Sequence, residues 1–458
     1  MINFIKENKV IIILVVIYFF IFATLSSLRH YTFQTQTWDL AAFEQSFYNT
    51  VHGNLMWNNF EGTSHFAIHF SPFLLLLVPI YFVFQSPYTL LIIQSLALAL
   101  GALPLYFLAK EKMEKKWAIL VSLLYLLYPS LHWVNLFDFH AVPFAVPLIL
   151  AAFYFIQKNN YLWSSIFLIL TATVAENMIV AVFFIGVYLL LFKNRKYGLA
   201  VALLSLIYFI LVAKVIMPAF GGGIVRLDRY TDFGDSATSI ITGVILNPSL
   251  TLQTIFTQAK MIYLLKVFLS VAFLPFVAWQ TLVLTIPGLL QNLLTTFNFQ
   301  FANFYQYDSI LIPFILISTA LGIRKTLNKF STKIVLGSVI FMTIAGFVWN
   351  SPLSPLNFPL PRFTDERAKV FREIVKQIPP EASVAAYTNL VPHLTHRQNI
   401  NMLGHEKVLA DYVIIDGDDL LGFASLEDFE IYFDNYRQAG QHEILLIDER
   451  YYILKPKK

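Results

Sequence analysis

Up to about residue 350 the chain is a series of long apolar runs with polar residues gathered into short breaks between them. A membrane-spanning helix needs about 20 apolar residues, with a range of about 17–25. Runs that can meet this need lie at 9–28, 87–109, 117–133, 142–157, 161–175, 177–192, 198–217, 261–279, 281–297, 308–323 and 333–349, which predicts eleven helices. The run from Pro72 to Phe84 is too short to span and reads as a re-entrant or interfacial segment. After Asn350 the pattern changes. Pro352, Pro355 and Pro359 oppose helix in 351–360, which reads as an extended linker. Beyond it, Thr364–Gln377 and Leu426–Gln438 have helical periodicity. Ser383–Tyr387 and Tyr412–Ile415 read as strands, and Ile444–Ile447 with Tyr451–Leu454 as a closing hairpin. The expected division is a multi-pass region over 1–350, the linker, and an α/β domain over 361–458 that folds on its own.

Composition fixes the solvent. Hydrophobic residues make up 57% of the 458 residues and charged residues 13%, against about 25% charged in average soluble domains. A soluble globule of this size leaves roughly a quarter of its unfolded surface exposed and has nowhere to hide so much apolar area. A single soluble domain, a disordered chain and a nucleic-acid-binding protein are therefore excluded. Of the chain's 60 charged residues, 28 lie in the last 99, which sets the C-terminal part apart from the membrane region. The net charge of +4 reflects basic loops and carries no nucleic-acid inference. With no cysteine, disulfides, thiolate metal sites and cysteine nucleophiles are excluded. No small-residue cleavage site follows the first apolar run, so it reads as a retained first helix.

Basic loops at 110–116, 193–196 and 324–329 give the orientation, since cytoplasmic loops carry the excess of Lys and Arg. The reading is a multi-pass protein of the cell membrane with its N-terminus in the cytoplasm and its C-terminal domain outside. The exterior loops are then 29–71, 134–141, the turn at Glu176, 218–260 and 298–307.

Ionisable residues are costly in a bilayer and usually functional when they occur near one. Several gather at the exterior ends of these helices. Asp39 and Glu44 lie in Trp38–Gln45, an amphipathic segment suited to the membrane interface. Asp39 serves there either as a helix cap or as a general base or metal ligand, and Glu44 either as a solvated residue or as a further catalytic carboxylate. His65 and His69 are four residues apart, a spacing that suits a metal pair or an interfacial polar pair. Asp138 and His140 stand in the second exterior loop, as solvated polarity or as a catalytic acid and a substrate ligand, and Glu176 sits at a tight turn, as a cap or a ligand. Gly221–Gly223 precede Arg226 and Arg229, a flexible segment with two guanidiniums able to close over a phosphate. No nucleophile elbow, zincin, Walker or dinucleotide motif is present.

The run Trp38–Gln45, then His69-Phe70-Ser71-Pro72, Gln94–Tyr106, Asp138-Phe139-His140, Arg229-Tyr230 and Val391–Arg397 resembles a family of prokaryotic multi-pass membrane proteins known as a domain of unknown function. That family looks like a branch of the GT-C glycosyltransferases, and the resemblance covers nearly the whole chain. It implies an α-helical polytopic GT-C-like fold of about eleven transmembrane helices with an exterior α/β domain. It implies transfer of a sugar from a polyprenyl-phosphate-type donor, with Asp39 in the first acidic position and Asp138 in the second. A divalent cation, Mg or Mn, is the cofactor to expect, with Asp39 and Asp138 as its possible ligands. Membrane lipids and the polyprenyl-linked donor are the expected partners. The chain departs from the pattern at Gln306-Tyr307, where relatives have His-Tyr, and at Ala141-Val142, where they have Pro-Glu after Phe-His. A transporter or flippase, or a non-catalytic scaffold with an exterior binding domain, are the alternatives.

Overall fold

The computed structural model describes residues 6–359, 366–404, 406, 408–438 and 442–457. It divides into two compact units. The helical unit comprises Met1–Leu25, Phe66–Leu76 and Ile92–Pro359; the sheet unit comprises Ser26–His65, Leu77–Leu91 and Leu360–Lys458.

Among the described residues five helices are long and apolar enough to cross a membrane: Lys9–Tyr31, Pro87–Lys110, Arg195–Ala219, Leu274–Leu293 and Thr332–Asn350. A sixth arises if Lys115–Leu126 and Pro129–Leu136, bent by 45°, count as one span. The bend has a local cause. Pro129 disfavours helical geometry at the residue before it, and Tyr128 is extended at φ −71°, ψ 118°. Val142–Gln157, Tyr161–Ala172 and Glu176–Phe192 are apolar but shorter. Ala237–Leu246 is also apolar and lies where the sequence reading had an exterior loop. The break expected near 280 falls earlier, where Ala272 and Phe273 adopt positive φ ahead of Pro275. The segment Pro72–Phe84 is a 3-10 turn, Pro72–Leu76, followed by the six-residue helix Val78–Val83, neither of spanning length.

Many apolar side chains are left uncovered. On the first helix Ile13, Ile17, Phe20 and Ile21 are exposed, and on Arg195–Ala219 so are Leu203, Leu204, Ile207 and Ile210. Such a surface suits lipid rather than water. Where helices meet, small residues let backbones approach. A Cβ on Gly198 would stand 2.1 Å from the Leu190 nitrogen, and one on Gly186 2.4 Å from that of Ala202. Close contact through small residues is how helices associate in lipid, where no hydrophobic gain separates them from the tails.

The 351–359 stretch is not extended. Its prolines do prevent helix, but it folds into successive turns, with Asn357 donating to the Trp349 and Ser351 carbonyls and the Ser354 hydroxyl. The end of the expected linker at Leu360, and the start of the expected helix at Thr364 and Asp365, lie outside the described residues.

In the sheet unit, the strands are β1 (Trp57–Asn58), β2 (Thr63–Ser64), β3 (Val384–Ala386), β4 (Ile400–Met402), β5 (Tyr412–Asp416), β6 (His442–Ile447) and β7 (Tyr451–Pro456). β1 and β2 form a small antiparallel pair, and the other five form one sheet in the order β4-β3-β5-β7-β6. β3 pairs in parallel with β4 and β5, and β5, β7 and β6 pair antiparallel. Alternation along β3 separates two cores. Val384 and Ala386 pack with Ala368, Phe371 and Ile374 of the helix Arg367–Lys376. Ala385 packs with Phe429, Tyr432 and Tyr436 of Leu426–Gln438. Arg450 locks the closing hairpin with two bonds to Asp416, at 2.5 and 2.6 Å.

The first of these cores also contains Phe33 and Ala41. Thr37 donates to the Thr388 carbonyl at 3.1 Å, Asn389 to the Thr35 carbonyl at 3.2 Å, and Gln45 to the Arg397 carbonyl at 3.2 Å. The segment 361–458 was expected to fold alone; its sheet instead shares its core with the first loop after the first helix.

Candidate active site

Asp39 lies in the first turn of a π-helical segment, Thr37–Ala41, which runs directly into the helix Ala42–Val51. It is partly exposed, while Thr37, Leu40 and Ala41 beside it are buried. The cap position belongs to Gln36, whose side chain makes no capping bond, so Asp39 is not the cap.

Glu44, one turn further on, is fully buried. Its Oε1 accepts a 2.6 Å bond from the Tyr81 hydroxyl and a 2.6 Å bond from Nε2 of His396. Among the described residues its Oε2 is buried with no hydrogen-bond partner. Burial pushes the Glu44 carboxyl above the usual carboxylate range, opposed by His396 and Tyr81. The Glu44 carboxylate, expected as a catalytic group at the surface of its segment, is thus enclosed by protein. The next residue, Gln45, holds Asn59 by two bonds, one to its side chain and one, at 2.8 Å, from its backbone N–H. His65 bonds Glu61 at 3.0 and 3.1 Å and is buried against the Phe43 ring.

In the helical unit His69 donates to Oε1 of Glu176 at 2.9 Å, and the Phe70 N–H to Oε2 at 3.2 Å. Glu176 opens the helix Glu176–Phe192, where a carboxylate also complements the helix dipole. The two histidines, read as a metal pair or an interfacial polar pair, thus serve different carboxylates. Among the described residues no three His, Asp or Glu side chains are grouped to hold a metal ion.

Asp138 and His140 are buried rather than solvated. Gln94 fixes their loop: its Nε2 donates to the Asp138 carbonyl at 3.1 Å and its Oε1 accepts the His140 N–H at 2.9 Å. The His140 ring stacks on Phe137 at 5.5 Å. The glycine segment is pinned, not flexible. The Gly223 N–H donates to the Ala67 carbonyl at 3.1 Å, and a Cβ on Gly222 would lie 1.9 Å from that oxygen. Arg226 is exposed and takes a left-handed φ of 66°. Arg229 lies over the Phe297 ring at 4.1 Å and donates to Gln300 at 3.0 Å and to the Tyr307 hydroxyl at 3.2 Å.

The sequence reading missed a buried network. Asp308 accepts from Tyr263 at 2.6 Å and from Asn303, which also donates to Ser130 at 2.6 Å and accepts from Asn350. The available signal was an acid at the very start of the apolar run 308–323. Gln94, inside the run 87–109, was a second such signal.

The fold is similar, over nearly its whole length, to ArnT from Cupriavidus metallidurans bound to undecaprenyl phosphate. The TM-score is 0.58 at 11% identity, covering 96% of this chain and 97% of that one. Against ArnT in the apo state it is 0.57 at 10% identity, covering 98% of each chain. The archaeal oligosaccharyltransferase AglB from Archaeoglobus fulgidus, in complex with an inhibitory peptide and a dolichol-phosphate, matches at 12% identity over 99% of this chain and 75% of that one; its TM-score of 0.45 is too low to carry an argument. The protein belongs to the family described as Predicted membrane protein (DUF2079), which matches residues 29–445. The resemblance read from the sequence is thereby borne out. No curated protein matches the chain.

Proposed function

We propose that this protein is a membrane glycosyltransferase that moves a sugar from a polyprenyl-phosphate-type donor to an acceptor at the outer face of the membrane. The observation that carries the reading is the end-to-end likeness to an ArnT structure holding undecaprenyl phosphate. Asp39 is the base that takes the acceptor hydroxyl's proton. It is partly exposed, and the turn bearing it is packed into the sheet unit's core through Ala41. Within the helical unit, Arg226 and Arg229 are the candidates for a phosphate, Asp138 for a second catalytic acid, and His140, His69 and Glu176 for further substrate groups. Arg229 suits an anion because its guanidinium is oriented by Phe297, Gln300 and Tyr307 before any ligand arrives.

The carrier part of this reading is tested by native mass spectrometry of the purified protein with undecaprenyl phosphate. A saturable one-to-one adduct, not formed with undecaprenol, is expected; equal binding of both lipids would contradict the phosphate assignment.

In membrane terms the proposal includes eleven crossings, an inside N-terminus and an exterior C-terminal domain at the cell membrane. The absence of native cysteine makes a single labelled cysteine unambiguous. Met113→Cys, between Lys110 and Lys116, is expected to resist an impermeant maleimide in intact cells and to react after permeabilisation. Labelling in intact cells would reverse the orientation.

A further inference from the structure

The contact between Glu44 and His396 joins residues 352 positions apart and is not a surface ion pair. The carboxylate is fully buried, whereas the His396 side chain is 39% exposed. One oxygen of Glu44 serves both the Tyr81 hydroxyl and the imidazole, and Tyr81 is itself buried and 3.2 Å from the same ring nitrogen. The ring is fixed in plane by stacking on Tyr48 at 4.8 Å and 14°. Tyr48 and Glu44 come from one helix, Ala42–Val51, and Tyr81 from another, Val78–Val83, so three side chains on two helices set the orientation of one imidazole. Nδ1 has no hydrogen-bond partner among the described residues. A carboxylate on one ring nitrogen, with the other left for a reacting group, is the arrangement that makes histidine a proton-transfer residue.

We propose that His396 is the general acid of the reaction and Glu44 its positioning residue, with Tyr81 completing the carboxylate's hydrogen bonds. This rests on the glycosyl-transfer reading above. In the step, the bond between the sugar's anomeric carbon and the phosphate oxygen breaks, and the electron pair stays on that oxygen. Nδ1–H of the imidazolium gives its proton to the phosphate. The acceptor oxygen bonds to the anomeric carbon and its proton goes to Asp39. Electrostatics divides the roles: a carboxylate receives a proton from an alcohol but repels a phosphate, whereas an imidazolium attracts one.

The test compares wild type, His396→Gln and Glu44→Gln in two measurements. Both substitutions keep shape and polarity, and His396 is exposed enough to change without opening a core. For undecaprenyl phosphate binding, His396→Gln is expected to weaken affinity by roughly tenfold through loss of a charge-assisted bond. For sugar transfer, a polyprenyl-phosphate sugar is compared with the corresponding diphosphate sugar, whose leaving group is the better one. General acids contribute about 10²–10⁴-fold, so His396→Gln should lose that much with the monophosphate donor and far less with the diphosphate. Glu44→Gln should shift both readouts in the same direction by less. A merely structural His396 would depress both donors equally, and that result overturns the proposal, as does wild-type carrier binding and transfer by His396→Gln. A wild type that neither binds the carrier nor uses any donor overturns the glycosyl-transfer reading instead.

Discussion

Asp39→Asn is expected to lower sugar transfer by about 10²–10⁴-fold, the range general bases contribute. Asparagine keeps the shape and the hydrogen-bonding capacity of the side chain but cannot accept the acceptor's proton. The helix it precedes should be unharmed. Asp39 does not occupy the cap position, and the segment is held by the buried Thr37, Leu40 and Ala41. The variant should therefore enter the membrane and unfold at the wild-type temperature, and it should bind undecaprenyl phosphate with unchanged affinity, since the carrier is assigned to other residues. Retention of full activity by Asp39→Asn with loss in Asp138→Asn would move the base to the Asp138 loop. Retention by both would remove carboxylate catalysis from the account.

Asp308 should show the largest effect on stability. Both of its carboxylate oxygens accept bonds inside the helical unit, from Tyr263 and from Asn303, and all three residues are buried. Asp308→Leu removes the acceptor for two buried donors and leaves Tyr263, Asn303 and Asn292, which donates to Tyr263 at 2.9 Å, without a common anchor. Each buried neutral donor left without its acceptor costs about 1–3 kcal/mol, so the loss of two should cost roughly 2–6 kcal/mol. Asp308→Asn is milder but not neutral. It replaces one acceptor with an N–H₂ facing a donor, so about 1–3 kcal/mol should be lost. Thermal unfolding in detergent should rank the midpoints wild type, Asn variant, Leu variant. A Leu variant as stable as the wild type would show that the network is dispensable to the fold.

What the sequence revealed follows from what is local. Apolar runs located the long helices, and short apolar runs bounded by polar turn residues located β5 and the β6–β7 hairpin within a residue or two. The edge strand β4, Ile400–Met402, went unseen because three residues carry no readable alternation. Breaks inside apolar runs were missed as well: Pro129 sets the bend at Tyr128, but a hydropathy window passes over it. The candidate site divides the same way. Asp39 was legible because it stands on an amphipathic segment beside a membrane helix. The Glu44 pairing was not, because its partners Tyr81 and His396 lie 37 and 352 residues away and no local pattern encodes such a contact. Arg229 was read as a mobile cation, but an aromatic ring and a glutamine some 70 residues on hold it in place. Glycines 221–223 looked flexible for lack of side chains, yet Gly222 is glycine because the Ala67 carbonyl leaves no room for a Cβ.

Sugar transfer from a polyprenyl-phosphate carrier is decided in a reconstituted membrane. The most direct measurement places the purified protein in proteoliposomes with a polyprenyl-phosphate donor radiolabelled in its sugar, across a panel of sugars. Label is followed in three pools: donor still in its original leaflet, donor in the opposite leaflet, and sugar released from the lipid to acceptor or water. For at least one sugar, label is expected to leave the lipid in the wild type and not in Asp39→Asn. Label that crosses the bilayer still attached to its lipid, or that stays on the donor for every sugar, would contradict it.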